Sequence, residues 1–179
     1  MLEALITSKT RIKLMLKFFL NSGSTGYLRG LEPEFGESTN AIRMELNRFE
    51  AAGLLKTVLE GNKKIYRANT RHPLFHDINS LILKYIGIDE IIDQVINHLG
   101  EPHEVYLIGD LAAGIDSKDM NILVVGDAID LDYLGQLCSK AQKLISRTIR
   151  YAVFTEEEFN QQLPVLNKAK LLLVWKNED

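Results

Sequence analysis

The run Ser38-Thr39-Asn40-Ala41-Ile42-Arg43-Met44-Glu45-Leu46-Asn47-Arg48-Phe49-Glu50-Ala51-Ala52-Gly53 decides how the first half of the chain folds. Ser38 offers a side-chain oxygen to the free N–H groups that open a helix, and Gly53 ends the periodic pattern. Between them Ile42, Leu46 and Phe49 recur at i, i+4 and i+7, the spacing that turns one helix face toward a core. The same rotation points Asn40, Arg43 and Asn47 outward on the opposite side. These residue types read base edges: a guanidinium pairs with the two acceptors of guanine, and a carboxamide bonds adenine twice. The segment therefore predicts an exposed helix face suited to a DNA major groove.

Working outward, Ile12, Leu14, Met15, Leu16, Phe18, Phe19 and Leu20 are too dense for a strand and predict a largely buried helix after a Ser8 cap, closed by Asn21-Ser22-Gly23. A short helical segment from Tyr27 to Phe35, ended by Gly36, precedes Ser38. Downstream, Leu55 to Leu59, the turn Glu60-Gly61-Asn62 and Lys63 to Ala68 predict a hairpin. Lys63, Lys64 and Arg67 give that hairpin positive charge for phosphates or an adjacent minor groove, although exposed lysine and arginine are also the default protein surface.

This order of elements over residues 8–70 resembles the winged-helix regulators of the arsenic-repressor type. Glu37 to Leu55 is similar to that family's recognition helix and its exit, and Glu60 to Arg67 to its wing. The resemblance implies that Ser38, Thr39, Asn40 and Arg43 address bases, that Asn47 and Arg48 lie nearer the backbone, and that the chain binds double-stranded DNA as a homodimer. Two features depart from the family. Glu32, Glu34 and Glu37 set acids close to the turn before the recognition helix, and Pro33 is expected to interrupt the second helix after barely a turn. The Cys-x-Cys metal-sensing pair of some members is absent from the sequence.

Composition agrees with a well-packed protein of one large or two small domains: 179 residues, 46% hydrophobic. The single Cys138 excludes an internal disulfide framework and fits a reducing, cytoplasmic setting. Lys9, Arg11, Lys13 and Lys17 break up the N-terminal apolar residues, so no export signal is expected. Apolar stretches such as Leu171 to Trp175 fall far short of the roughly 18 to 20 residues that span a bilayer, so no membrane contact is expected. The charge is unevenly distributed. Residues 1–72 hold twelve Lys/Arg against seven Asp/Glu and the remainder nine against seventeen, so +5 sits beside −8 beneath a whole-chain charge of −3. Only the first part suits phosphate.

After His72-Pro73, Phe75, Ile78, Ile82, Ile88, Ile91, Ile92, Val95, Ile96 and Leu99 predict one or two amphipathic helices with a break near Gly87; their apolar stripe needs a partner in the other domain or a second subunit. His72 and His76 could share a helical face, but nothing completes a metal site there, and helix-end or surface histidines are preferred. Val105 to Ile108 and Met120 to Val125 predict strands, Leu131 to Ile145 a helix, Thr148 to Phe154 a strand, Thr155 with Glu158 a capping box, and Lys170 to Trp175 a last strand.

Residues 105–126, within about 88–160, resemble the core of a minimal nucleotidyltransferase of the polymerase-beta type. That family carries a Gly-Ser turn over the triphosphate and an Asp-x-Asp pair whose carboxylates share one strand face and hold Mg²⁺ with a third acid from a later strand. Here the turn is Gly109-Asp110, the pair has become Asp119-Met120-Asn121, and Thr148 to Phe154 contains no acid. One carboxylate of three cannot orient two Mg²⁺ ions, so Gly109, Asp110, Asp119 and Asn121 are expected to form a vestigial nucleotide site with no catalytic residue, metal or cofactor.

The expectation is thus an α+β protein: a winged helix-turn-helix over 1–72, a helical connector over 73–87, and a degenerate nucleotidyltransferase-like α/β domain over 88–179. Its function would be DNA-binding transcriptional regulation, the C-terminal domain serving dimerisation or the sensing of a small-molecule or nucleotide effector. The alternatives are an active nucleotidyltransferase targeted by the winged helix, and a protein-binding component of a toxin-antitoxin-like complex.

Overall fold

The computed structural model describes residues 2–145 and 147–177, apart from the side chains of Leu2, Glu3, Gln94, Val95, Ile96, Asn97, His98 and Ala169. The chain divides into two compact units, Met1–Tyr85 with Gly114–Asp116, and Ile86–Ala113 with Ser117–Asp179. Each combines helices with a sheet, and the protein is of the α+β class. The helix expected as a separate connector is counted with the first unit as far as Tyr85.

In the first unit a single turn, α1 (Leu2–Leu5), leads into α2 (Lys9–Met15), whose cap Ser8 accepts a hydrogen bond from the Arg11 N–H at 3.2 Å. The rod continues as a wider π-helical segment, Leu16–Leu20. Leu14, Leu16, Phe18 and Phe19 are fully buried, which accounts for the apolar density of this stretch: a helix enclosed on most sides keeps only a narrow polar stripe, here Lys9, Lys13 and Lys17. Next come β1 (Thr25–Gly26) and α3 (Leu28–Phe35). Contrary to expectation, α3 runs through Pro33 and ends at Gly36. Proline removes one backbone bond, at a cost of roughly 3 kcal/mol in a helix interior. Burial of Leu31 and Phe35, each worth about 1.5 to 3 kcal/mol, offsets that cost, and the Gly36 N–H closes the last turn on the Glu32 carbonyl at 2.9 Å.

The quoted run forms α4 (Thr39–Ala51), with Ser38 accepting from the Ala41 N–H at 3.2 Å. The hairpin is β2 (Leu55–Glu60) and β3 (Lys63–Ala68), in register from Leu55 opposite Ala68 to Glu60 opposite Lys63 around the two-residue turn Gly61-Asn62. β1 adds to the other edge of β3, Thr25 facing Arg67, so the sheet has three strands in the order β1-β3-β2. Two residues are too few for a periodic signal, and this strand was not anticipated. α5 (Phe75–Ile86) belongs with this core: Phe75 and Phe49 lie 5.9 and 6.2 Å from Phe19, ring centre to ring centre, and the Asn79 amide donates to the Phe19 carbonyl at 2.6 Å. His72 precedes α5, its Nδ1 accepting from the Leu74 N–H at 3.2 Å, so it shares no helical face with His76.

The second unit begins with α6 (Ile88–His98), separated from α5 at Gly87. A side chain there would face both a φ of +82° and the Ile145 Cγ2 at 2.3 Å, so glycine is required. Ile88, Ile91, Ile92 and Leu99 are buried within this chain; the Val95 and Ile96 side chains of the expected stripe, and that of His98, lie outside the described residues. Then follow β4 (Glu101–Ile108), β5 (Asp119–Asp127), α7 (Leu131–Leu144), β6 (Thr148–Phe154), α8 (Glu156–Gln162) and β7 (Leu171–Lys176). The sheet order is β6-β5-β4-β7, with β5 and β6 parallel and the other pairs antiparallel. Both β4 and β5 extend beyond their apolar runs, because β4 bonds on two sides and its polar start, Glu101 to Glu104, pairs with the end of β5 across a bulge. The capping box at α8 is complete, Thr155 accepting from Glu158 N–H at 3.2 Å and Glu158 from Thr155 N–H at 2.9 Å.

Candidate nucleic-acid interface and the sheet edge of the second unit

α4 separates its residues as its spacing demands. Ile42, Leu46 and Phe49 are buried, while Asn40, Arg43 and Asn47 are exposed and engage in no side-chain hydrogen bond or ion pair among the described residues. Ser38 is exposed but spends an acceptor site on the cap, and Thr39 is half-buried.

The buried arc also holds an acid. Glu45 is 5% exposed. Its Oε2 accepts from Arg11 Nε at 2.9 Å; its Oε1 accepts from Arg11 Nη2 at 3.2 Å, Ser8 Oγ at 3.1 Å and Arg48 Nη1 at 3.0 Å. Burial pushes this carboxyl upward, but the hydrogen bonds of Arg11 and Ser8 and the charges of Arg11 and Arg48 outweigh it, and the group is held below its ordinary value. Sequence reasoning missed this cluster. The signal was present, since Glu45 falls at i+3 from Ile42 and i−4 from Phe49, inside the apolar arc, where a charge needs partners.

The acids near the turn are largely neutralised from α2 and the segment after it. Lys13 Nζ bonds Glu37 at 2.8 Å and the Phe35 carbonyl at 2.6 Å, and Lys17 Nζ lies 2.9 Å from Glu34. Glu32 is exposed. Of the three acids that could repel phosphate here, two are thus paired with lysines.

The wing cations do not form a single cluster. Strand alternation sends Lys63 and Arg67 to one face of β3 and Lys64 to the other, with Tyr66. Lys63 Nζ sits 4.5 Å above the Tyr27 ring, Arg67 is exposed, and Lys64 Nζ bonds Glu50 of α4 at 2.6 Å. Glu50 also accepts from Thr57 Oγ1 at 3.1 Å. Chiefly through its hydrogen bond with Lys64, Glu50 is held below its ordinary value, and Lys64 correspondingly above.

In the second unit Gly109 ends β4 with φ +82°, its N–H bonded to the Lys170 carbonyl at 2.9 Å, and a side chain there would come 3.3 Å from Asn121 Nδ2. Register brings Asn121 beside Ile108 on one side and Arg150 on the other, with Asp119 beside Thr148. Gly109, Asp119 and Asn121 thus meet at one end of the two central strands, β4 and β5. Asp110 is ion-paired to Lys170 at 2.9 Å, and Asp119 lies 3.5 Å from Arg150. Neither cation was singled out from the sequence, because their proximity depends on strand register across β6 and β7. Asp119 and Asn121 of β5 thus stand beside the Arg150 guanidinium of β6, with the Asp110–Lys170 pair next to Gly109.

No family model matches the chain, and no curated protein does. Among solved structures, it is similar to a candidate nucleotidyltransferase from Sulfolobus solfataricus (22% identity, 54% of this chain and 85% of that one, TM-score 0.38). It is similar also to a predicted DNA-binding transcriptional regulator from E. coli (21% identity, 50% and 87%, TM-score 0.34). A third is the transcriptional regulator BldR from Sulfolobus solfataricus (14% identity, 55% and 68%, TM-score 0.37). At these identities and scores they are partial likenesses and carry no function to this chain.

Proposed function

We propose that the protein is a cytoplasmic, DNA-binding transcriptional regulator that acts as a homodimer on double-stranded DNA. The observation that carries the reading is the outward face of α4: Asn40, Arg43 and Asn47 are exposed, with no side-chain partner among the described residues, on a capped helix whose other face is buried. Base-reading side chains left free on a rigid helix are what a major-groove reader needs. Ser38 and Thr39 stand at the entry of that helix, and Lys63 and Arg67 supply backbone contacts from the wing.

The second unit, in this reading, transfers no nucleotidyl group and serves dimerisation or the sensing of a small-molecule or nucleotide effector. Arg150 stands beside Asn121 and close to Asp119, so a cation occupies the strand on which a third metal-binding acid would be needed.

Footprinting on selected duplexes tests the first part. Wild type should protect a defined site, and Arg43→Ala should lose about 1 to 3 kcal/mol on that site with little change on random DNA. Equal affinity of Arg43→Ala and wild type on every duplex would refute sequence reading by α4. Incubation with labelled ATP or CTP and Mg²⁺ tests the second part: transfer abolished by Asp119→Ala would overturn the assignment of inactivity.

A further inference from the structure

We infer that Glu45 is a positioning residue for DNA binding, holding one edge of the Arg48 guanidinium so that its remaining N–H groups are presented to a backbone phosphate. The inference rests on the reading of α4 as the groove-facing helix. Glu45 faces inward, yet it takes a bond from Arg48 Nη1 at 3.0 Å, while Arg48 itself stays 56% exposed on the outer flank of α4, next to Asn47. A guanidinium is a planar fork of five donors, so an anchored Nη1 leaves Nε and Nη2 to reach a second acceptor. Fixing one edge removes rotamer freedom before DNA arrives, which is the general advantage of preorganisation.

Charge supports the same view. Arg11 grips both oxygens of Glu45, so the cluster of Arg11, Glu45 and Arg48 keeps a net positive charge, and Arg48 is oriented without being neutralised. If Glu45 only fastened α2 to α4, Arg11 and Ser8 would suffice, and the bond from Arg48 would have no consequence for DNA.

The two possibilities predict opposite signs. A carboxylate near a phosphate repels it, so removing its charge should by itself tighten binding. If Glu45 positions Arg48, Glu45→Gln should instead weaken it. The test is fluorescence anisotropy of the full chain on a random-sequence duplex, between about 50 and 200 mM salt. Glu45→Gln and Arg48→Ala are each expected to lose about tenfold, the strength of one charge-assisted contact, and the double variant to bind no worse than Arg48→Ala. Arg48→Lys, which keeps the charge on an exposed site but loses the fork, should fall close to Arg48→Ala; if thermal melting shows that Glu45→Gln does not fold, Glu45→Asp, which keeps the charge but shortens the reach to Arg48 Nη1, should show the same tenfold loss, and wild-type affinity in it would overturn the inference. Tighter or unchanged binding by folded Glu45→Gln, losses that multiply in the double variant, or wild-type affinity in Arg48→Lys would overturn the inference while leaving the proposed function intact. A wild-type chain without salt-dependent duplex binding would overturn both.

Discussion

Lys63 and Lys64 are adjacent in sequence, and replacing each with alanine should have different consequences. Lys63 Nζ rests above the Tyr27 ring with no acid bonded to it among the described residues, while Lys64 is tied to Glu50 at 2.6 Å on the opposite face of β3. A cation that neutralises one phosphate contributes about 0.9 to the slope of log affinity against log salt, so over a fourfold rise from about 50 to 200 mM its loss changes the ratio of affinities roughly 3.5-fold. Lys63→Ala should show that change on every duplex. Lys64→Ala should leave the slope nearly unaltered, because its charge is already spent on Glu50. It should cost folding stability instead, and only about 0.5 kcal/mol, since both partners are partly exposed. Anisotropy titrations at several salt concentrations, with thermal melts of the same samples, measure both effects. Equal flattening by the two variants would refute the assignment of Lys63 and Lys64 to different tasks.

Phe19 joins α4 and α5 through Phe49 and Phe75, and Phe19→Ala should destabilise the first unit by about 3 to 5 kcal/mol, read from the urea midpoint. The carboxyl of Glu45 is held below its ordinary value of 4.5, so its contribution to stability should be complete above that pH and disappear as pH falls through the folded value. Glu45→Gln should therefore show a flatter loss of stability below pH 4.5; identical acid profiles would contradict the buried ion cluster. Cys138 is buried, and burial pushes its thiol up to about 11. An aromatic disulfide reagent at about pH 8 should label it slowly in the native chain and rapidly after denaturation, whereas fast native labelling would contradict its burial.

Much of the fold was legible because periodicity and capping are local. Ser8, Ser38 and Thr155 cap the helices that follow them, and the arc of Ile42, Leu46 and Phe49 is buried. The break at Gly87 and the hairpin around Gly61-Asn62 also stand where the pattern puts them. Pro33 does not break α3, because its local penalty is offset by burial of Leu31 and Phe35, which no local pattern shows. β1 escaped because its partner strand lies some forty residues away.

Site chemistry divides along the same line. From its own residues the sequence determined which side chains of α4 turn outward and which acids are missing near Asp119, since helix rotation and residue identity need no partner. Which cations remain available depends on how the chain packs. Packing pairs Lys13 with Glu37, Lys17 with Glu34, Arg11 with Glu45, and Lys64 with Glu50, and it brings Arg150 to Asp119 and Lys170 to Asp110. A net charge counts ions regardless of position, whereas ion pairing falls off over a few ångströms and is set by helix packing and strand register. For that reason the +5 of residues 1–72 could suggest a partner, but the fold had to specify which of its charges can meet one.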